Sequence, residues 1–352
     1  MVEPVQREMD RATTQALPKV LLHEHLDCSL RTASMLEFWF DENWQVPHNF
    51  PQDVRHAFEQ KQFEAAARSY QHFLAQDASL SLANYVMAIV HHVLPLMQTA
   101  PRIARITRER LEDAVADGIV AFELRFAPQL HTKGGLSLSQ VMEAVIEGIS
   151  KSPIPVRLIV CTLRHEDADM ARKLADLSIA HKEIVGAFDL AGDEKANPGV
   201  LEWWVKEALR VREYGIETDI HLWETDEPTD ADVDKLTEYG IERLGHGMRG
   251  SRQDDRILEV CPSSNVVTGQ IKSLRDHPID KLLKQGRHVT VNTDGTLFTR
   301  SDLSNEYMLL NRVFGWTEAE FFATNKTAIA ASSFSSAVKA DVLMKLSKAY
   351  KR

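Results

Sequence analysis

The feature that most limits how this chain can fold is a repeated unit: a short apolar, β-branched run ending in polar residues, preceded by a helical stretch that stops at a glycine. The runs are Val20–Asp27 (VLLHEHLD), Ile119–Pro128 (IVAFELRFAP), Val156–His165 (VRLIVCTLRH) and Ile184–Gly192 (IVGAFDLAG), followed by Ile216–Glu224 (IETDIHLWE), Ile241–Gly247 (IERLGHG), Ile257–Asn265 (ILEVCPSSN) and His288–Gly295 (HVTVNTDG). Runs this apolar and this short read as strands buried on both faces, as in a parallel sheet. Ile103–Ala116 and Asp230–Tyr239 read as helices between them, and Gly118, Gly215, Gly240 and Gly286 fall where a helix should end before a strand. About eight strands alternating with helices predict an α/β fold of the TIM (β/α)₈ barrel type, in which functional side chains sit at the C-terminal ends of the strands.

No repeat, low-complexity tract or Pro/Gly/Ser-rich linker marks a boundary, so the expectation is a single domain over residues 1–352. Residues 29–117 separate the first two strands and are rich in helical pattern, which predicts a helical insertion over the barrel mouth. Within it, Ala83–Met97 carries His91, His92 and Pro95 and reads as a packed helix, not a membrane span. Residues 317–352 predict C-terminal closing helices without chemistry.

The formal net charge is −10, with acids and bases interspersed, which argues against a surface that tracks nucleic-acid phosphates. The N-terminus is polar and mixed in charge, unlike a secretory signal, so a cytoplasmic location is expected, with neither membrane nor nucleic acid as partner. Cys28, Cys161 and Cys261 are too far apart for a disulfide framework or a Cys-x-x-Cys zinc site. A metal must therefore be held by histidine and carboxylate.

His23 and His25 lie two apart on the first strand, so both imidazoles point to the same side and form a natural metal pair. His221, ending the fifth strand, and Asp294, ending the eighth, project toward the same rim. Three histidines and a carboxylate suit Zn²⁺, one per chain, with a position left open for water, although another divalent ion fits the same donors. Glu224 and His246, the latter in the Gly245-His246-Gly247 turn, complete an acid and base set at that rim. Zinc lowers the pKa of water from 15.7 to about 7. His246 is expected to orient that water or take its proton, while Glu224 protonates a ring nitrogen of the substrate and makes an amidine carbon electrophilic, so that ammonia leaves.

These residues and their neighbours bear a family resemblance. From Pro18 almost to the last strand the sequence resembles the adenosine deaminase branch of the metal-dependent amidohydrolases. Pro18 to Asp27 is similar to the family's opening P-K-x-x-L-H-x-H-L-D, and Phe122 to Pro128 to its E-x-R-x-x-P. Asp189 to Glu194 matches D-L-A-G-D-E, His221 and Glu224 stand where the family has H-A-G-E, and Gly245 to Gly247 match G-H-G. Cys261 to Asn265 resemble C-P-x-S, His277-Pro278 match H-P, and Asn292 to Asp294 match N-T-D. The resemblance implies a purine nucleoside as the small-molecule partner. It implies His23, His25, His221 and Asp294 as zinc ligands and Glu224 and His246 as catalytic residues. His25 and Asp27 would face the substrate, with Asp27 on the ribose, and Gly192 would touch it through its backbone.

The departures fall in the purine pocket. The family's second Asp after the ligand, which holds a purine ring atom, is here Gly295; Trp223 replaces a Gly beside Glu224, and Cys28 replaces the Gly after Asp27. Deamination of adenosine or deoxyadenosine is therefore the expectation, with adenine, methylthioadenosine and aminodeoxyfutalosine as alternatives within the chemistry and a non-catalytic nucleoside-binding barrel as the alternative outside it. No Lys lies at a strand end after the first strand, unlike the two-metal amidohydrolases with a bridging Lys, and the cysteine spacing excludes the deaminases built on Pro-Cys-x-x-Cys.

Overall fold

The computed structural model describes residues 8–41, 50–195, 200–225, 236–249 and 255–350. Its strands are β1 (Lys19–His25), β2 (Ile119–Phe126), β3 (Val156–Leu163), β4 (Val185–Ala191), β5 (Glu217–Leu222), β6 (Arg243–His246), β7 (Ile257–Val260) and β8 (His288–Val291). They form an 8-stranded sheet in chain order, and every neighbouring pair is parallel. Each expected run corresponds to one strand, with β1 starting one residue before its run, at Lys19. The strands stop short of the polar tails because those residues turn away, as where Pro262 opens the helix Pro262–Val267 directly after β7.

The ring closes between β1 and β8 through a parallel bridge between Glu24 and Asp294. The His25 N–H donates to the Asp294 carbonyl at 2.7 Å, and the Asp294 N–H to the His23 carbonyl at 3.0 Å. Lower down, the side chain of Asn292 substitutes for a ladder rung: its Oδ1 accepts from the N–H groups of Leu22 and His23, each at 3.1 Å. This is a nearly closed TIM barrel.

Helices flank the strands where the sequence provides for them. Ala100–Ala116, with a Pro in its first turn, packs against Leu138–Ile149 and β2. Leu138–Ile149 starts at a capping box made by Ser137 and Gln140. The turn from Ala116 into β2 requires Gly118: its φ is +82°, and a Cβ there would sit 2.4 Å from the Gln15 carbonyl oxygen. The helix expected over Asp230–Tyr239 lies for the most part outside the described residues.

Between β1 and Ala100–Ala116 stand the helices Thr32–Trp39, Gln52–Glu59, Phe63–Asp77 and Leu82–His92. The Leu80 N–H donates to the Val267 carbonyl at 2.8 Å, and the Tyr85 ring packs on Phe298 at 5.0 Å. These contacts hold the segment against the short helices that follow β7 and β8, Pro262–Val267 and Thr296–Thr299. The chain ends in Glu318–Ala331 and Ser336–Ala349; Asn325 of the first accepts the Val20 N–H at 2.8 Å. Among the described residues no helix is long and apolar enough to cross a membrane, and Cys28, Cys161 and Cys261 are free and buried.

Charges, rather than aliphatic side chains alone, fill part of the barrel interior. Arg125 of β2 donates to Asp189 at 3.2 Å, Asp219 at 3.1 Å and Glu259 at 2.6 Å, and Arg243 of β6 pairs with Glu123, Asp219 and Glu259. All six are buried. Such groups are tolerated only when each finds its opposite.

Candidate active site

Strand alternation does the first work. Glu24 turns outward to Arg110 of the helix Ala100–Ala116 and to Thr293, so its neighbours His23 and His25 turn inward. At the top of the barrel they meet His221 from β5 and Asp294 just after β8. One ligating atom from each of these four lies within 4.8 Å of the others. His25 Nε2 stands 3.1 Å from His221 Nε2, and Asp294 Oδ1 stands 3.4 Å from the Nε2 atoms of both His23 and His25.

The remaining ring nitrogens fix how the imidazoles face. His23 Nδ1 lies 3.2 Å from Glu259 Oε2 and His221 Nδ1 3.0 Å from Asp189 Oδ2; each Nδ1–H donates to its carboxylate, which leaves Nε2 as a lone-pair donor toward the centre. His23 Nε2 is buried without a hydrogen-bond partner, and His25 and His221 present Nε2 to each other. A cation between these groups would satisfy all of them, so the residues fit a metal. Asp294 is held well below the usual carboxylate range: burial opposes ionisation, but the facing His23 imidazole and the other neighbouring imidazoles outweigh it. Ser264 Oγ donates to its Oδ2 at 2.6 Å. Burial, chiefly, drives His25 down to about 3 and keeps it neutral, as a ligand must be.

A second grouping joins His23, His246 and Cys261. Burial pushes the Cys261 thiol well above its ordinary pKa, so it remains a thiol and a poor ligand; the set of three histidines and an aspartate is the stronger donor set.

Glu224 and His246 stand beside the cluster, with Glu224 Oε2 and His246 Nε2 3.7 Å apart. Burial, then the carboxylates of Asp294, Glu194 and Asp193, raises Glu224 well above its ordinary pKa, which favours its protonated form. Glu194 holds the loop, accepting the Glu224 N–H at 2.9 Å. Burial lowers His246 well below its ordinary value. Its tautomer follows from a relay: the Ile279 N–H donates to His277 Nδ1 at 3.1 Å, so His277 Nε2–H donates to Asn265 Oδ1 at 3.2 Å, and Asn265 Nδ2 donates to His246 Nδ1 at 3.1 Å. The proton of neutral His246 is therefore on Nε2, facing the site. Of the two tasks expected of this residue, orienting an oxygen suits the tautomer and taking a proton at Nε2 does not.

Three residues at strand ends have left-handed backbone: Trp223 at φ +58°, His246 at +62° and Asp294 at +61°. A bulky residue in that region is strained, which explains why a small residue suits the position of Trp223; here the ring is buried with the Arg256 guanidinium 5.5 Å above it. Asp27 lies 4.0 Å from His25 Nδ1 and 3.5 Å from His131 Nε2. Gly192 follows β4 at φ +99° with no tight contact at its Cβ position, so backbone conformation is what calls for glycine.

The contacts of Glu259, Asp189 and Ser264 with the ligand set are not part of the sequence reading. A signal exists: Glu259 and Asp189 are lone carboxylates inside apolar runs, where an unpaired charge would be untenable.

Comparison with known proteins agrees with this geometry. The sequence model of the family described as adenosine deaminase matches residues 18–349. The chain belongs to the adenosine deaminase family. Members of this family are hydrolytic deaminases acting on C–N bonds. A protein named adenosine deaminase from Clostridium acetobutylicum is 33% identical over 344 residues, covering 94% of this chain and 97% of the relative. One from Mycobacteroides abscessus is also 33% identical, covering 90% and 91%. Among solved structures, the adenine deaminase of Arthrobacter aurescens superposes with a TM-score of 0.80 at 23% identity, covering 96% of this chain and 100% of that one. An Arabidopsis N6-mAMP deaminase gives 0.79 at 24%, covering 95% and 99%. An amidohydrolase from Burkholderia ambifaria, solved with bound Zn, gives 0.80 at 20%, covering 99% and 95%. At these identities the three structures bear on the fold.

Proposed function

We propose that the protein is a zinc-dependent deaminase of adenosine or deoxyadenosine, releasing inosine or deoxyinosine and ammonia. The observation that carries this reading is the meeting of His23, His25, His221 and Asp294, with Glu224 and His246 side by side next to them. The names of the two relatives at 33% identity support the substrate.

His23, His25, His221 and Asp294 would hold the zinc, which when bound supplies an activated water at neutral pH. Glu224 gives its proton to a ring nitrogen beside the amino-bearing carbon, withdrawing electrons from that carbon. His246 donates its Nε2–H to oxygen at the reacting face and orients it. Asp27, at the end of β1, accepts from a ribose hydroxyl, and Gly192 offers backbone to the base. Ser264 and Asn265, from the helix after β7, keep Asp294 and His246 in place.

The test is ammonia release from adenosine, deoxyadenosine, adenine and methylthioadenosine, with metal content determined and a chelator-stripped control. Turnover that is lost on stripping and restored by zinc is expected with adenosine or deoxyadenosine; zinc-loaded protein that deaminates none of the panel would refute the reading. Glu224→Gln should keep its zinc and lose roughly 10²- to 10⁴-fold in kcat.

A further inference from the structure

Gly295 follows Asp294 with an extended backbone, φ −158°, so conformation does not call for glycine there. Space does. A Cβ at this position would lie 2.5 Å from Tyr85 Oη, 2.5 Å from Cys28 Cβ and 2.9 Å from the Cys28 carbonyl oxygen. The volume beside the ligand strand is thus filled by a side chain from the helix Leu82–His92.

Tyr85 is only 4% exposed, and its ring is fixed edge-on against Phe298. Its hydroxyl is buried and makes no hydrogen bond of ordinary geometry. The polar group nearest to serving as its partner is the Cys28 thiol, which is weak as donor and as acceptor. A buried tyrosine hydroxyl normally finds a partner. Gly295 directly follows Asp294, so a hydroxyl packed against its Cβ position lies beside the ligand strand, with only a thiol near, among the described residues, to receive its proton.

We propose that the Tyr85 hydroxyl is a substrate-recognition donor, hydrogen-bonding a ring-nitrogen acceptor of the aminopurine other than the nitrogen that faces Glu224. The small residues Cys28 and Gly295 are what let it reach that position. The proposal rests on the aminopurine reading above, and deepens it by naming a residue that selects the base.

Tyr85→Phe removes one oxygen and leaves the ring on Phe298. Competitive inhibition constants are measured for wild type and Y85F with inosine and its 3-deaza and 7-deaza analogues, each of which lacks one ring-nitrogen acceptor, alongside adenosine kinetics and zinc content. The expected result is unchanged zinc, a roughly tenfold rise in KM for adenosine with a smaller effect on kcat, and a like weakening of inosine. One deaza analogue should show the same loss on mutation while the other binds wild type and Y85F equally, which identifies the contacted nitrogen. Equal binding of inosine by both proteins overturns the proposal, as does an equal loss for all three ligands, the mark of a purely structural tyrosine. Gly295→Ala, whose methyl needs the space of Tyr85 Oη, should reproduce the analogue pattern of Y85F; a pattern unlike it also counts against the proposal. If wild type neither deaminates nor binds any of these purines, the functional reading itself has failed. If wild type deaminates adenosine and only the Y85F contrast is absent, the failure belongs to Tyr85 alone.

Discussion

Glu306 sits on the helix Leu303–Phe314, fully buried, and accepts the Ser263 N–H at 3.3 Å. Ser263 lies in the first turn of Pro262–Val267, the helix that sends Ser264 to Asp294 and Asn265 to His246. Burial raises the carboxyl from 4.5 to about 7, against the pull of its hydrogen bonds. The folded state therefore binds this proton more tightly than the unfolded chain does. The stabilisation is complete below 4.5, where both states are protonated, and is lost as pH rises through about 7. The difference between those two values corresponds to about 3 kcal/mol, of which about 2.5 kcal/mol falls between pH 5 and pH 8. Glu306→Gln removes the titration and nearly preserves the shape. Urea unfolding of wild type and E306Q at both pH values isolates this group, because every other titration is common to the two proteins. The variant should gain on wild type by about 2.5 kcal/mol between pH 5 and pH 8. A stability difference that stays constant with pH, or that moves the other way, would show that Glu306 is not held protonated by its surroundings and would refute the argument.

Other perturbations follow from the same geometry. Asp189→Asn exchanges the carboxylate that orients His221 for a neutral amide, and zinc affinity measured by competition with a chelator should fall roughly 10- to 100-fold; unchanged affinity would count against the carboxylate's orienting role. Gly245→Ala places a methyl 2.8 Å from His23 Cε1 and 3.3 Å from the His221 backbone, so zinc content and activity should drop together, and an alanine variant with full zinc would show that the ligand strands can separate to admit it.

The barrel was legible in the sequence because its strands are buried on both faces and stop at polar residues, two properties that residue order displays directly. His23, His25, His221 and Asp294 were legible for the same reason: each follows an apolar run. The orienting contacts were not. Alternation says that Glu259 and Asp189 point inward, but not that β7 brings one to His23 and β4 the other to His221, since that depends on strand tilt and register across the barrel. Tyr85 was further out of reach. Its stretch reads as a packed helix, and only the folded chain shows its hydroxyl against the glycine after Asp294. His246 shows a different limit: its position was readable, but its tautomer is set by a backbone N–H at Ile279, through two other side chains.

The place where the ring closes has a consequence for the life of the chain. His23 and His25 are made early and Asp294 late, and synthesis delivers the N-terminal part first. A copy that ends before β8 lacks Asn292 and Asp294 together, so it is deprived at one stroke of the side chain that stitches the two lips of the seam and of the carboxylate that faces the imidazoles. Termination before β8 thus removes the seam and the fourth member of the cluster together. In the finished chain, a cation shared between the lips would act as a clasp, and its binding free energy would be added to that of barrel closure.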